Sequence, residues 1–212
     1  MAVGADAPNV TTVTPPPRWS AFMAAAADGK LWLIGGNSFT GLLADVWSFD
    51  PVSLVWTFEA GSQSPVSTAQ AVYGRFRVPA ASNVMPSRAM FAAAMDKHAD
   101  VIFISGGLAA GNAALADVWS FNVTSKLFAW IGGQPGESRA RGIYPAVKGF
   151  DGGELRVSRP NNFGGNAWVD ASGGLWLGMG RHYNWQEDQY QHCNGATTRA
   201  QLMAAALAAA RS

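Results

Sequence analysis

Cysteine is nearly missing from this chain: Cys193 is the single one in 212 residues. An internal disulfide is therefore excluded, which fits a reducing compartment. Charge is sparse too. Charged residues make up 14% of the chain, and 15 basic against 14 acidic side chains leave a net charge of +1. Nucleic-acid binding would need a basic stripe or patch, and the balance provides none. No apolar run approaches the roughly 20 residues a membrane-spanning helix needs. The opening MAVGADAPNVTTVTPPPR has neither the basic n-region nor the apolar h-region of a secretory signal. The expectation is a cytoplasmic chain with no membrane span, no nucleic-acid partner and no cofactor. Helical periodicity is also lacking until the last segment.

What is present is repetition. LADVWSFD (Leu43 to Asp50) returns as LADVWSFN (Leu115 to Asn122), 72 residues later. Each copy follows an apolar run ending in a glycine pair, LWLIGG with Gly35-Gly36 and VIFISGG with Gly106-Gly107. Leu31-Trp32-Leu33 matches Ile102-Phe103-Ile104 and again Leu175-Trp176-Leu177. Trp56-x-Phe58 recurs as Phe128-x-Trp130. Self-similarity at a fixed period signals stacked copies of one supersecondary unit. Two units are whole. A third opens near Asn162, reaches Gly178-Met179-Gly180 and then loses the pattern.

Within a unit the elements read as strands. AFMAAA and LWLIGG flank Asp28-Gly29, a tight-turn dipeptide and a strong hairpin signal. ADVWSF alternates side-chain type and ends at Asp50-Pro51, a turn start. WTF supplies a fourth short strand. Four short antiparallel strands with recurring glycine and aromatic positions predict a propeller blade. The expected organisation is a lead-in over 1–17, blades over 18–60, 88–133 and 159–185 within a repeat region 18–185, and a tail over 186–212. In that tail, RAQLMAAALAAARS predicts a helix over 198–211 capped by Thr197 or Thr198.

Strand, Gly-Gly, loop, Asp-Val-Trp and a closing aromatic resemble the kelch repeat over roughly residues 18–185. The resemblance implies an all-β, kelch-type β-propeller, here partial. It makes Gly35, Gly36, Gly106 and Gly107 the glycines ending the second strand. Trp47 and Trp119 become the third-strand aromatics, Trp56 and Phe128 the fourth-strand ones, and Trp130 the partner of Phe128. Asp45 and Asp117 are repeat positions expected to accept turn hydrogen bonds. The chain departs from the pattern at its third glycine pair (Gly178, Gly180), at Phe128 where Trp is usual, and in its long segments 61–87 and 134–158. Large aromatics between blades bury on the order of 150–250 Å² each, so the nine Trp read as core rather than as ligand platforms.

These observations imply a non-catalytic protein–protein interaction or scaffold module, part of a larger propeller or assembly. The competing reading is a galactose oxidase-like or carbohydrate-binding propeller. Copper radical oxidases of that type need two Tyr, two His and a Cys crosslinked to one Tyr. Tyr73, Tyr144, Tyr183 and Tyr190 form no arrangement of that kind. The spacing of His182, His192 and Cys193 matches no standard zinc pattern, and they read as surface polar residues with no metal. The long segments are expected to be functional loops. Tyr73 and Tyr144 are their equivalent anchors, and Arg75, Arg77, Arg139 and Arg141 supply a basic rim for a protein partner. Two blades and part of a third also leave open flanks, which favour self-association or docking.

Overall fold

The computed structural model describes residues 13–67, 70–137, 165–171, 173–178, 181–184, 189–192 and 198–200. Blade one is a four-stranded antiparallel sheet of β1 (Phe22–Ala25), β2 (Leu31–Ser38), β3 (Gly41–Asp50) and β4 (Val55–Ala60), in that spatial order. Blade two repeats it with β5 (Ala92–Asp96), β6 (Val101–Ser105), β7 (Leu115–Asn122) and β8 (Leu127–Glu137). The sequence repeat is thus a structural repeat. The third sheet is assembled differently. Its β9 (Asn166–Val169) and β10 (Leu175–Gly178) form the expected hairpin, but the next strand across is β13 (Thr198–Ala200), pairing antiparallel with β10. Between them in sequence, β11 (Arg181–Asn184) and β12 (Gln189–His192) form a separate hairpin. Apart from that strand, the helix expected over 198–211 lies outside the described residues.

Local chemistry explains the connections. At the β1–β2 turn the Lys30 N–H donates to Asp28 Oδ1 at 3.0 Å, and Gly29 takes φ 83°. At the β3–β4 turn Asp50 Oδ1 accepts the Val52 N–H at 2.8 Å. That backbone bond holds the Asp50 carboxyl below its ordinary value. Asn122 does the same work between β7 and β8, accepting from Thr124 N at 3.0 Å and Ser125 N at 2.7 Å. A short polar side chain that caps its own turn explains why Asp and Asn interchange here.

Gly35-Gly36, expected to end the second strand, sit instead at a bulge within β2, while Gly106-Gly107 follow β6 directly, and both pairs are there for a steric reason. A Cβ on Gly36 would stand 2.8 Å from Ala21 Cβ, and one on Gly107 would stand 2.7 Å from the Ala89 carbonyl oxygen. Both glycines have positive φ, 102° and 95°. The close approach is to the segment leading into the blade's own first strand, where Trp19 pairs with Asn37 and Ala89 with Leu108.

Side-chain alternation gives each sheet two apolar faces, and the blades stack through them. Trp32, Ile34 and Val46 of blade one close on Ile102, Ile104 and Phe121 of blade two. Ala92, Phe103 and Val118, on the other side of blade two, close on Leu175 and Leu177 of blade three. At the first junction Trp32 and Phe121 lie 5.9 Å apart, and Lys126 Nζ sits 4.0 Å from the Trp32 ring centroid. Lys126 also pairs with Glu59 at 3.2 Å, so a cation from blade two is held by blade one.

Candidate functional site

The polar groups inside the blades form one constellation, built twice. Arg18 and Arg88 each precede a first strand and reach across to the Asp of Asp-Val-Trp. In blade two, Arg88 grips Asp117 through two bonds, Nη1 to Oδ1 at 2.7 Å and Nη2 to Oδ2 at 2.9 Å. Its Nη1 also donates to Gly106 O at 2.9 Å and its Nε to Pro86 O at 3.3 Å. In blade one, Arg18 grips Asp45, with Nη2 to Oδ2 at 2.8 Å, Nη1 to Gly35 O at 3.0 Å and Nε to Pro16 O at 3.1 Å. The indole N–H of Trp47 donates to Asp45 Oδ2 at 2.7 Å, and that of Trp119 to Asp117 Oδ2 at 2.8 Å. One fork thus ties three pieces of each blade together: the lead-in, the glycine pair and the third strand. A guanidinium suits the task because its rigid fork satisfies a carboxylate bidentately and has donors to spare.

Asp45 and Asp117 were expected to accept turn hydrogen bonds. They accept Arg and Trp side chains instead, because they point inward under the glycine pair and are buried. The two arginines went unnoticed in the sequence. A signal was there: Pro16-x-Arg18 and Pro86-x-Arg88 recur 70 residues apart, ahead of the first strands.

Among the described residues, blade two has one member with no counterpart in blade one. The Tyr73 hydroxyl donates to Asp117 Oδ2 at 2.8 Å and accepts from the Gly136 N–H at 2.7 Å. Its ring lies 4.9 Å from Trp119 and meets Trp130 edge-on at 5.7 Å. Burial first, and then the negative charge of Asp117, raise its phenol well above the ordinary value near 10. Tyr73, expected as a partner anchor, thus has its hydroxyl bonded and its ring packed against Trp119 and Trp130 within the chain. Asp117 Oδ2 takes three donors in a buried setting and Oδ1 takes a fourth, so the carboxylate is bonded inside the blade through both oxygens.

The remaining candidates divide. The linker before blade two runs along β8: Arg77 N donates to Trp130 O at 2.8 Å, Ala80 N to Phe128 O at 3.3 Å, and Asn83 Nδ2 to Phe128 O at 2.8 Å. It therefore covers a sheet edge that would otherwise template association. Arg75 is exposed at its outer turn. Arg77 lies over Phe76, its guanidinium carbon 4.9 Å from the ring centroid. Phe76, which the sequence reading passed over, is 40% exposed and packs edge-on against Trp130 at 5.0 Å. Arg139, Arg141, Tyr144, Gly180 and Cys193 lie outside the described residues, as do the side chains of His182 and His192, while Gly178 ends β10. Among the described residues no three His, Cys, Asp or Glu side chains converge to hold a metal ion.

Residues 18–62, running from Arg18 through the whole of blade one, match the Kelch motif. The chain carries a kelch motif. Blade two, outside the matched residues, repeats the four-strand order of blade one and its Arg–Asp–Trp bonds. A search against curated proteins gives no match. No helix among the described residues is long and apolar enough to cross a membrane.

Proposed function

We propose that this kelch-repeat chain is a non-catalytic protein-interaction scaffold, and that its partner docks on the linker ahead of blade two. The observation that carries this is the outer turn of that linker. Val72, Phe76 and Val78 expose apolar surface within seven residues, next to the exposed Arg75. The turn is held on β8 by backbone bonds from Arg77 and Ala80, so the surface is presented preorganised, which lowers the entropic cost of binding. Aromatic and Arg side chains are the residue types that dominate interface energetics. The polar groups inside the blades point the same way, since both Arg–Asp pairs and Tyr73 are consumed by internal bonds.

The basic side chains of Arg75 and Arg77 give this surface an acidic partner. A double variant, Arg75→Glu with Phe76→Glu, is expected to lose the proteins that the wild type retains on affinity capture, while unfolding at the same temperature. Retention of the same proteins by the variant removes the linker from the interface. Stoichiometric copper or zinc in the purified chain would overturn the non-catalytic reading.

A further inference from the structure

Outside glycine, a left-handed backbone is uncommon and asks for a reason. Among the described residues most cases belong to the fold. Ser20 and Met90 hold the same place in their blades, with φ 54° and 55°, as do Leu54 and Lys126, with 59° and 62°. Asp100, at 52°, stands where blade one has Gly29. Asn112 is of a residue type that visits this region readily. Arg77 is left over, at φ 61°. It lies in the linker ahead of blade two, within the proposed partner surface.

Arg77 is the second central residue of a tight turn. The Val78 N–H donates to the Arg75 carbonyl oxygen at 3.0 Å, with Phe76 and Arg77 between them. A positive φ at that place ordinarily calls for glycine or asparagine. Arginine there is strained, and such strain persists only where the surroundings over-determine the conformation. Two bonds do so. The Arg77 N–H donates to Trp130 O at 2.8 Å, and Val78 O accepts from Asn83 Nδ2 at 3.0 Å. The other Nδ2 proton goes to Phe128 O on β8 at 2.8 Å. Asn83 therefore ties the exit of the turn to the sheet. Packing alone does not account for an asparagine at this position. It is 6% exposed, and no group of the described chain donates to its buried Oδ1. The amide cannot flip, because Oδ1 would then face two carbonyl oxygens. A buried amide with an unmet oxygen costs stability that a leucine of similar volume would not. Gly74 fits around it, since a Cβ there would stand 2.1 Å from Asn83 Oδ1.

We propose that Asn83 is the positioning residue of the docking surface: its amide locks the Arg75–Val78 turn, against the strain at Arg77, in the shape that presents Arg75 and Phe76 to a partner. The proposal rests on the reading of that linker as the docking surface. Without the Nδ2 bond to Val78 O, the turn is free to leave the left-handed conformation, and Phe76 is free to leave the edge of Trp130. Apparent affinity then falls with the fraction of chains that still hold the turn. A turn held one-tenth of the time binds about tenfold more weakly.

Amide hydrogen exchange at Val78, whose N–H closes the turn, reads the lock on the full chain with no partner present. Asn83→Leu is expected to speed that exchange about tenfold or more through local opening, while exchange in the strands of blade two stays as in wild type. Adding Arg77→Gly, which removes the strain but restores neither Asn83 bond, should return slow exchange at Val78. A residue that merely packs would show no such recovery. Gly74→Ala, which drives a Cβ against Asn83 Oδ1, is the second variant should Asn83→Leu fail to fold, and it carries the same expectations. Wild-type exchange at Val78 in these variants overturns the proposal, and so does faster exchange that Arg77→Gly leaves unchanged. Affinity capture with Asn83→Leu separates the lock from the docking reading. Faster exchange with the captured proteins lost supports both, whereas faster exchange with the same proteins retained overturns the docking reading and leaves the lock.

Discussion

Arg88→Met is the substitution that probes the blade constellation most sharply. Arg88 and Asp117 are both 0% exposed. Methionine keeps much of the buried volume but leaves the Asp117 carboxylate without a counter-charge. Oδ1 loses the donor at 2.7 Å, Oδ2 loses one of three, and the Gly106 and Pro86 carbonyls lose theirs. Breaking one side of a buried ion pair costs about 3–5 kcal/mol. For a chain of this size each kcal/mol is worth about 2–4 °C, so the midpoint should fall by roughly 6–20 °C. Removing the stranded charge as well, in Arg88→Met with Asp117→Leu, should recover part of that loss, since a buried pair exchanged for apolar side chains is often near neutral. Recovery would be incomplete because Tyr73 and Trp119 would lose their acceptor. Urea unfolding followed by circular dichroism reads all three proteins. A single variant within about 1 kcal/mol of wild type, the size of an ordinary point substitution, would refute the view that this fork holds the blade together.

Gly133→Ala should destabilise by well over about 1 kcal/mol, because Gly133 has φ 72° and an added Cβ would sit 1.8 Å from the Ala116 carbonyl oxygen; a wild-type thermal midpoint would contradict this. Gly36→Val should do the same through its 2.8 Å approach to Ala21 Cβ, again read by a thermal melt. Tyr73 sets a pH dependence. Its folded phenol is raised above the ordinary value of 10.0, so its contribution is complete below pH 10 and is lost as the pH climbs beyond, where the unfolded chain ionises and the folded one does not. Denaturation between pH 8 and 11 should show a steeper fall for wild type than for Tyr73→Phe, and equal slopes would dismiss the effect.

Much of the blade was legible because its determinants are local and recur. Turn residues such as Asp28-Gly29, the glycine pairs and the Asp-Val-Trp strands each mark one place in a four-stranded sheet, and a second copy fixes the register. The arginines were hidden for a physical reason. Arg is ordinarily a surface residue, and only the pairing across the blade makes 18 and 88 core positions. Tyr73 misled in the same way: a polar aromatic in a long linker reads as exposed, yet a phenol is readily buried once its hydroxyl finds an acceptor such as Asp117. The third sheet shows the limit of local pattern most clearly. Its strand beside β10 begins at Thr198, 20 residues beyond Gly178 at the end of β10, and nothing in an alanine-rich segment announces that distant pairing.

On the proposed function, the linker ahead of blade two is the surface on which a protein partner docks. Placing a photo-crosslinking amino acid at Phe76, and separately at the exposed Phe39 of the β2–β3 turn in blade one, tests it most directly in the chain's own cells. The account predicts a discrete protein adduct from position 76 and none from position 39. The absence of any adduct at 76, or the same adducts from both positions, would contradict it.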